Sequence, residues 1–101
     1  MKQGITYILS NKNRTVFFIG ITNDIVTRLY KHRYENGSNF TTRYNCYDLV
    51  YYERHHTIEA AIDRERQLKC WKRQWKINLI MKDNPEMKDL SEKVDADPYE
   101  H

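Results

Sequence analysis

The stretch VFFIGITNDIVTRLYKH, residues 16–32, decides the fold, because it is typical of a strand that passes through a tight turn into a helix. Its first residues are mostly β-branched or aromatic, which favours a pleated strand. Gly20 stands near the end of that strand, where the backbone must bend or pass close to a neighbour. Thr22 or Asn23 can cap the following helix, and Asp24 suits the positive end of that helix.

The helix that follows carries polar residues on its apolar stripe. Ile25 and Leu29 lie four residues apart, and at about 100° per residue Arg28 and His32 fall on or beside the same stripe. A polar group turned toward a sheet needs a hydrogen-bond partner. Arg28 and His32 are therefore the first candidate site residues.

The rest of the chain predicts the other elements of a small mixed fold. Alternating apolar and polar residues predict strands over residues 4–10 and 48–53, in addition to residues 15–21. The polar stretch 34–46 is predicted to be a loop, and one long helix is predicted from Thr57 to about Ile80. Together these elements predict an α+β fold, in which a small three-stranded antiparallel sheet is flanked by helices.

Two local details depend on turn and cap chemistry. If the first hairpin loop is only two residues long, Tyr7 lies directly opposite Phe18 across the first two strands. Asn84 is predicted to cap a short last helix over residues 85–90, because a proline follows it at the first helical position.

Length and charge limit the domain organisation and the partners. We expect one small domain over residues 1–92 and a polar, disordered tail over residues 93–101. The net charge of +3 is too small to indicate a polyanion partner by itself. Its distribution is more informative, because residues 64–76 hold six basic residues and one acidic residue, whereas residues 83–100 are rich in acidic residues.

Cysteine usage and hydropathy indicate the compartment. Cys46 and Cys70 follow neither a metal-ligand spacing nor a secreted disulfide framework, which favours a reduced protein. The N-terminus lacks the apolar core of a signal peptide, and nowhere do about 18 apolar residues follow one another. We therefore expect a soluble cytoplasmic protein that does not contact a membrane.

The long helix presents one unexpected carboxylate and one basic face. Glu65 falls near the centre of the apolar stripe, and the alternative interpretation is an i,i+4 ion pair with Lys69. The basic face either contacts phosphates, with Trp71 and Trp75 as stacking surfaces, or is a solvated face over core tryptophans. The predicted nucleic-acid-binding residues are Arg64, Lys69, Lys72 and Arg73.

Several residues occur at the spacing of a known nuclease superfamily. The matching residues are Ile5-Thr6-Tyr7, Phe18-Ile19-Gly20, Arg28, His32 and Arg64-Glu65. The chain resembles the small single-domain members of the GIY-YIG nuclease superfamily, which are related to the N-terminal domain of the excision-repair incision subunit. The resemblance covers roughly residues 4–90, and Phe18 stands where the family usually has tyrosine.

The resemblance implies an endonuclease that hydrolyses phosphodiester bonds with one Mg²⁺ or Mn²⁺ ion and no small-molecule cofactor, and DNA is the expected nucleic acid. Glu65 would hold the ion, and Arg28 would contact the scissile phosphate. Tyr7 would orient or deprotonate the attacking water, and His32 would supply a hydrogen bond or a second base. Asn84 aligns with a late active-site asparagine, and the alternative interpretation is a helix cap.

These roles require residues from different elements to converge. Tyr7 comes from a strand, and Arg28 and Glu65 come from two helices. All three are predicted to project toward the same side of the sheet and to form one cleft, with His32 at its wall and Phe18 beside Tyr7.

Phe18 leaves a second interpretation open. It keeps the aromatic ring but lacks a hydroxyl that elsewhere in the family helps to position the nucleophile, and one such hydrogen bond contributes about 1–3 kcal/mol. A slow nuclease and a nucleic-acid-binding module without catalysis both fit the sequence. Tyr7 also has an alternative interpretation, as a core tyrosine with a satisfied hydroxyl. A protein-interaction domain is a third possibility that nothing in the sequence specifically supports.

Overall fold

A computed structural model describes residues 3–35 and 39–95 and shows, within these ranges, a three-stranded antiparallel sheet with five helices. The predicted α+β fold is confirmed. The elements in chain order are β1 (Gly4–Ser10), β2 (Phe17–Thr22), α1 (Ile25–Tyr34), α2 (Asn39–Tyr44), β3 (Asp48–His55), α3 (Ile58–Cys70), α4 (Arg73–Asp83) and α5 (Ser91–Asp95). None of these described helices is long and apolar enough to cross a membrane.

β1 is the central strand of the sheet, and β2 and β3 form the two edges. The register of the first hairpin places Tyr7 opposite Gly20, so the pairing of Tyr7 with Phe18, which required a two-residue loop, does not form. The turn is longer than two residues because Asn11 organises it. Its Oδ1 accepts hydrogen bonds from two backbone N–H groups further along the turn, at 2.9 and 3.0 Å.

Helices cover both faces of the sheet. On one face of β1, Tyr7 belongs to a core cluster that includes Leu29 of α1. On the other face, Ile8 belongs to a second cluster with Leu68 of α3 and Ile80 of α4. The side chains of β1 alternate between these two cores, as the period of a strand requires. Consequently α1 and α3 lie on opposite sides of the sheet.

The predicted long helix is two helices. α3 ends at Cys70, and the next two residues, Trp71 and Lys72, have extended backbone with ψ of 148° and 149°. α4 then begins at Arg73. At the start of α1, Asp24 is the N-cap in place of the predicted Thr22 or Asn23, since its Oδ1 accepts the backbone N–H of Thr27 at 3.2 Å.

The chain after α4 also differs from the prediction. Asn84 ends α4 as its C-cap, and no helix forms over residues 85–90. Residues 93–95 belong to α5 instead of the predicted tail, and Val94 is fully buried in the core cluster of Tyr7. Residues 96–101 of the predicted tail lie outside the described residues.

The predicted loop over residues 34–46 contains α2. Thr41 is fully buried and turns toward the protein, whereas Phe40 and Tyr44 are exposed. The Cys46 N–H donates to the Thr41 carbonyl at 3.0 Å and closes the end of this short helix.

Candidate active site

Tyr7 lies at the centre of the candidate site, and a glycine makes room for it. The side chain is fully buried, and its ring extends across the neighbouring strand above Gly20. A Cβ atom added at Gly20 would lie 2.6 Å from both Cζ and Oη of Tyr7, and 3.0 Å from the Phe18 ring. A side chain at position 20 would overlap the Tyr7 ring, so glycine is required there. The Tyr7 hydroxyl consequently lies at the β2 edge of the sheet.

A histidine and a threonine continue from the Tyr7 hydroxyl. Tyr7 Oη is 3.0 Å from Nε2 of His32, and Nδ1 of His32 is 3.1 Å from Oγ1 of Thr41. His32 is 2% exposed, as expected from its place on the apolar stripe of α1. Thr41 is not among the predicted site residues, because a threonine in a polar stretch that is predicted to be a loop carries no sequence signal that it is buried or bound to His32. The three side chains form a buried hydrogen-bonded chain.

Burial and charge set the protonation states of this chain. Burial raises the pKa of the Tyr7 phenol to about 12, while the charge of Arg28 and its hydrogen bond to the phenol act in the opposite direction. Burial and, to a smaller extent, the positive charge of Arg28 lower the pKa of His32 below its usual 6.5. At neutral pH both groups are therefore uncharged, and Tyr7 is a phenol rather than a phenolate.

Glu65 approaches from α3, on the other side of the sheet. The helix that carries Glu65 packs on the face of the sheet opposite α1, and the projection of Tyr7, Arg28 and Glu65 toward one side of the sheet stays a prediction. The charge of Glu65 nevertheless reaches the Tyr7 hydroxyl, where it adds a small increase to the phenol pKa. His32 is therefore hydrogen-bonded to the Tyr7 hydroxyl, and the charges of Arg28 and Glu65 both act on the Tyr7 phenol.

Glu65 is also the residue available to a metal ion. Its side chain is 19% exposed, and Oε2 lies 3.4 Å from Nζ of Lys69, so the ion pair considered as an alternative is present. Among residues 3–35 and 39–95, no three His, Cys, Asp or Glu side chains are grouped to hold a metal. A lone carboxylate still fits Mg²⁺, which is commonly held by one or two carboxylates together with substrate phosphate and water.

A cleft of about 250 Å³ opens along the β2 edge. We call it the edge cleft, and it is lined by Phe17, Phe18, Ile19, Phe40, Lys69 and Lys76. The Phe18 ring joins it to the buried site, since its centroid lies 5.6 Å from that of His32 and 6.3 Å from that of Tyr7. Phe18 therefore lies beside Tyr7, with His32 next to it. The cleft combines an aromatic wall with two cations.

The residues predicted to bind nucleic acid separate into two groups. Lys69 and Lys72 are exposed beside the break between α3 and α4. Arg73 is also exposed, although it stacks 5.0 Å from the Phe17 ring centroid. Arg64 is different, because two of its nitrogens bind the Glu53 carboxylate at 3.0 Å. Arg64 therefore holds α3 to β3, and the structure does not support its predicted contact with nucleic acid.

Asn84 has a structural role. It is 6% exposed, and its side-chain nitrogen donates to the carbonyls of Val50 and Lys88, at 3.0 and 2.8 Å. Its Oδ1 accepts the Lys88 N–H at 3.1 Å. The amide is thus occupied in joining the end of α4 to β3 and to the following turn. The contacts support neither the predicted N-cap nor the predicted catalytic role.

A model of the family described as the GIY-YIG catalytic domain matches residues 3–78, a range that includes Tyr7, Arg28, His32 and Glu65 but not Asn84. The UPF0213 protein SSP2268 of Staphylococcus saprophyticus is 32% identical over 80 residues, which is 79% of this chain and 96% of that protein. A UPF0213 protein of Staphylococcus aureus strain Mu3 is 30% identical with the same coverage.

Among solved structures, the chain is similar to the solution NMR structure of the UPF0213 protein BH0048 from Bacillus halodurans. The two are 24% identical, the match covers 97% of this chain and 90% of that chain, and the TM-score is 0.49.

Proposed function

Because the chain belongs to the GIY-YIG catalytic-domain family, a nuclease family that acts on nucleic acid, we propose that it is a divalent-metal-dependent endonuclease that hydrolyses phosphodiester bonds in DNA. One observation carries the proposal. The buried pair of Tyr7 and His32 shares a 3.0 Å hydrogen bond, and the positive charge of Arg28 acts on both members. A core tyrosine needs a hydrogen-bond partner, but it does not need a cation and a carboxylate around the same hydroxyl.

Arg28 is the proposed phosphate ligand. Arg28 is half-buried and its charge acts on the Tyr7 phenol, so a phosphate bound to Arg28 would be next to a water activated by Tyr7. A fixed guanidinium stabilises the charge that develops on phosphate oxygens without reorganising during the reaction. This role also explains why an arginine occupies the apolar stripe of α1.

Tyr7 and His32 are proposed to remove a proton from the attacking water by a relay in which Tyr7 takes up the water proton and passes its own proton to His32. A phenol with a pKa of about 12 is a poor source of free phenolate at neutral pH, so Tyr7 does not act as an isolated base. Instead, the attacking water gives its proton to Tyr7 Oη while the Tyr7 hydroxyl proton passes to Nε2 of His32. The water oxygen bonds to phosphorus, the bond to the leaving oxygen breaks, and solvent protonates the leaving oxygen and later deprotonates His32.

The relay requires the tautomer of His32 that carries its proton on Nδ1. In that tautomer Nδ1 donates to Oγ1 of Thr41, and Nε2 is free to accept from Tyr7. Thr41 therefore acts as a positioning residue, because it fixes the ring and its tautomer without touching the substrate.

Glu65 would hold the divalent ion, Mg²⁺ or Mn²⁺, whose chemistry would be to offset charge on the phosphate and the leaving oxygen. The remaining ligands would be water and substrate, in keeping with the single carboxylate present. In the structure the Glu65 carboxylate is paired with the Lys69 ammonium group.

Phe18 favours a second candidate function, a nucleic-acid-binding module without cleavage. The test is a cleavage assay with purified protein on supercoiled, linear, branched and single-stranded DNA, in Mg²⁺, Mn²⁺ or EDTA. Metal-dependent cuts in any of these substrates support the nuclease. Salt-sensitive binding to the same panel without a cut under any condition supports the binding module instead.

A further inference from the structure

The edge cleft has an aromatic wall that the proposed chemistry does not use. The ring centroids of Phe18 and Phe40 lie 5.8 Å apart, and those of Phe40 and Tyr44 lie 4.7 Å apart. We call Phe18, Phe40 and Tyr44 the aromatic row. Beyond it, the Arg43 guanidinium lies 5.5 Å from the Tyr44 ring centroid. The row therefore leads from the buried site, where Phe18 contacts His32, out to the protein surface.

The exposure of the row is imposed by the fold. Phe40 is 41% exposed and Tyr44 is 40% exposed, although both are large apolar groups. They lie four residues apart on α2 and so share one face of it. The helix is fixed at Thr41, the residue next to Phe40, because Thr41 is fully buried and hydrogen-bonded to His32. The same contact that orients His32 thus holds the helix that places Phe40 in the cleft and Tyr44 next to Phe40.

The cleft also has cationic lining residues. Lys69 and Lys76 line it together with the aromatic rings, and Lys72 is exposed between them in sequence, directly before α4. A cleft lined by apolar aromatic rings and by two ammonium groups is suited to a ligand with flat apolar faces and a negatively charged backbone. Nucleotides have both features, and protein aromatic rings stack on bases of any sequence.

Stacking also selects the state of the nucleic acid. In a continuous duplex the faces of each base are covered by its neighbours, and only base edges and phosphates are accessible. A row of protein rings can reach a base face only where the strand is unpaired.

We propose that the aromatic row stacks on unpaired bases beside the bond to be cut, so that the substrate is single-stranded nucleic acid or a duplex with an unpaired segment. The position of the cut rests on the proposed function. The preference for unpaired strands is a binding property that can be measured without cleavage.

The experiment is a fluorescence anisotropy titration in EDTA, so that no strand is cut. The probes are a labelled single-stranded DNA oligonucleotide and the blunt duplex of the same sequence. We expect the wild type to bind the single strand at least tenfold more tightly than the duplex. Phe40→Ala and Tyr44→Ala should each weaken single-strand binding by about tenfold, which is about 1.4 kcal/mol, and leave duplex binding unchanged. Phe40→Trp should restore the wild-type affinity.

Tyr30→Ala is the matched control. Tyr30 is 57% exposed and stacks on Tyr34 at 5.0 Å, but it lies on the face of α1 turned away from Arg28 and His32. It should bind both probes like the wild type. A circular dichroism melt for each variant shows whether the fold is intact, and Phe40→Trp keeps the test decisive if Phe40→Ala unfolds.

Three results would overturn the inference. They are equal affinity for the two probes, unchanged single-strand binding in folded Phe40→Ala and Tyr44→Ala, and a loss confined to Trp75→Ala, which removes the exposed tryptophan of α4. Failure of the proposed function is a separate result. Selective single-strand binding without cleavage in Mg²⁺ or Mn²⁺ would retain the inference and reject the nuclease, whereas cleavage without strand selectivity would do the reverse.

Discussion

Adding one methyl group at Gly20 should disable the proposed site, because Tyr7 occupies the space that a side chain would need. The new Cβ would lie 2.6 Å from Tyr7 Cζ and Oη, whereas non-bonded carbons separate by roughly 3.5 Å or more. The end of the Tyr7 ring would therefore have to move by about 1 Å. A shift of that size cannot retain the 3.0 Å separation between Tyr7 Oη and His32 Nε2 unless His32 also moves.

Gly4→Ala provides a control with the same kind of overlap at a different place. A Cβ at Gly4 would lie 2.7 Å from Cβ of Ala61 and 2.8 Å from the Ile58 Cα, on the face of β1 that packs against α3. Overpacking of this kind costs about 1–3 kcal/mol of stability, so both variants should melt at least about 4 °C below the wild type. Only Gly20→Ala should also remove cleavage.

The assay combines thermal melting, single-turnover cleavage and the NMR signals of the His32 ring nitrogens. Gly20→Ala should shift the His32 Nε2 signal and lower the cleavage rate by at least tenfold at a temperature where the protein is folded. A wild-type cleavage rate in Gly20→Ala would show that the position of Tyr7 above Gly20 does not matter for cleavage. The same would follow if Gly4→Ala, at an equal loss of stability, lowered the cleavage rate as much as Gly20→Ala.

The remaining predictions concern pH, the second motif and the basic surface. Cleavage should fall as pH drops through the lowered pKa of His32, so the acid limb of the rate profile should lie below pH 6.5. The free energy of unfolding should also decline as pH falls below 6.5, because His32 binds a proton more readily in the unfolded chain than in the folded protein. Phe18→Tyr should raise the single-turnover rate by up to about tenfold, since it returns a hydroxyl to a half-buried ring beside the site. Charge reversal at Lys69, Lys72 and Arg73 together should weaken binding to all sequences alike and reduce the slope of log K against log salt by about 2–3.

Each of these predictions has its own check. His32→Gln should abolish the acid limb, and an unchanged limb in that variant would assign it to another group. Phe18→Leu removes the ring without adding a hydroxyl, so a rate increase in both Phe18 variants would contradict the proposed reason. Lys12→Glu reverses an exposed charge in the first hairpin turn, and a salt slope reduced as much as in the triple variant would argue against a localised basic surface.

The elements that could be predicted are those fixed by local periodicity. The alternation in residues 4–10 defined β1, and the helical period placed His32 on the buried stripe of α1. The side from which Glu65 approaches was not predictable in this way. It depends on how α3 crosses the sheet, which is decided by packing between residues distant in sequence, such as Ile8 with Leu68.

The other differences between the predicted and the observed structure arise where a side chain forms a hydrogen bond that local periodicity does not reveal. Asn11 lengthens the first turn through its own hydrogen bonds, so the strand register shifts from Tyr7 opposite Phe18 to Tyr7 opposite Gly20. Asn84 follows the same principle, because its amide ends α4 where the local pattern predicted that it would begin a helix. Thr41 was missed since its value to the site lies in a single contact with His32, which no local pattern encodes.

If the residues around the Tyr7 hydroxyl form the active site of a metal-dependent nuclease, cleavage depends on the charge of Glu65, and the single-turnover rate of Glu65→Gln measures that dependence. The substitution preserves the shape of Glu65 and removes its charge, and Glu59→Gln on the exposed first turn of α3 is the matched control. Single-turnover cleavage in Mg²⁺ or Mn²⁺ should fall by at least about a hundredfold in Glu65→Gln, which is about 2.7 kcal/mol of transition-state stabilisation, and stay at the wild-type rate in Glu59→Gln. Binding in EDTA and the melting temperature should change little in either variant. Cleavage by folded Glu65→Gln at the wild-type rate would show that Glu65 does not belong to the active site.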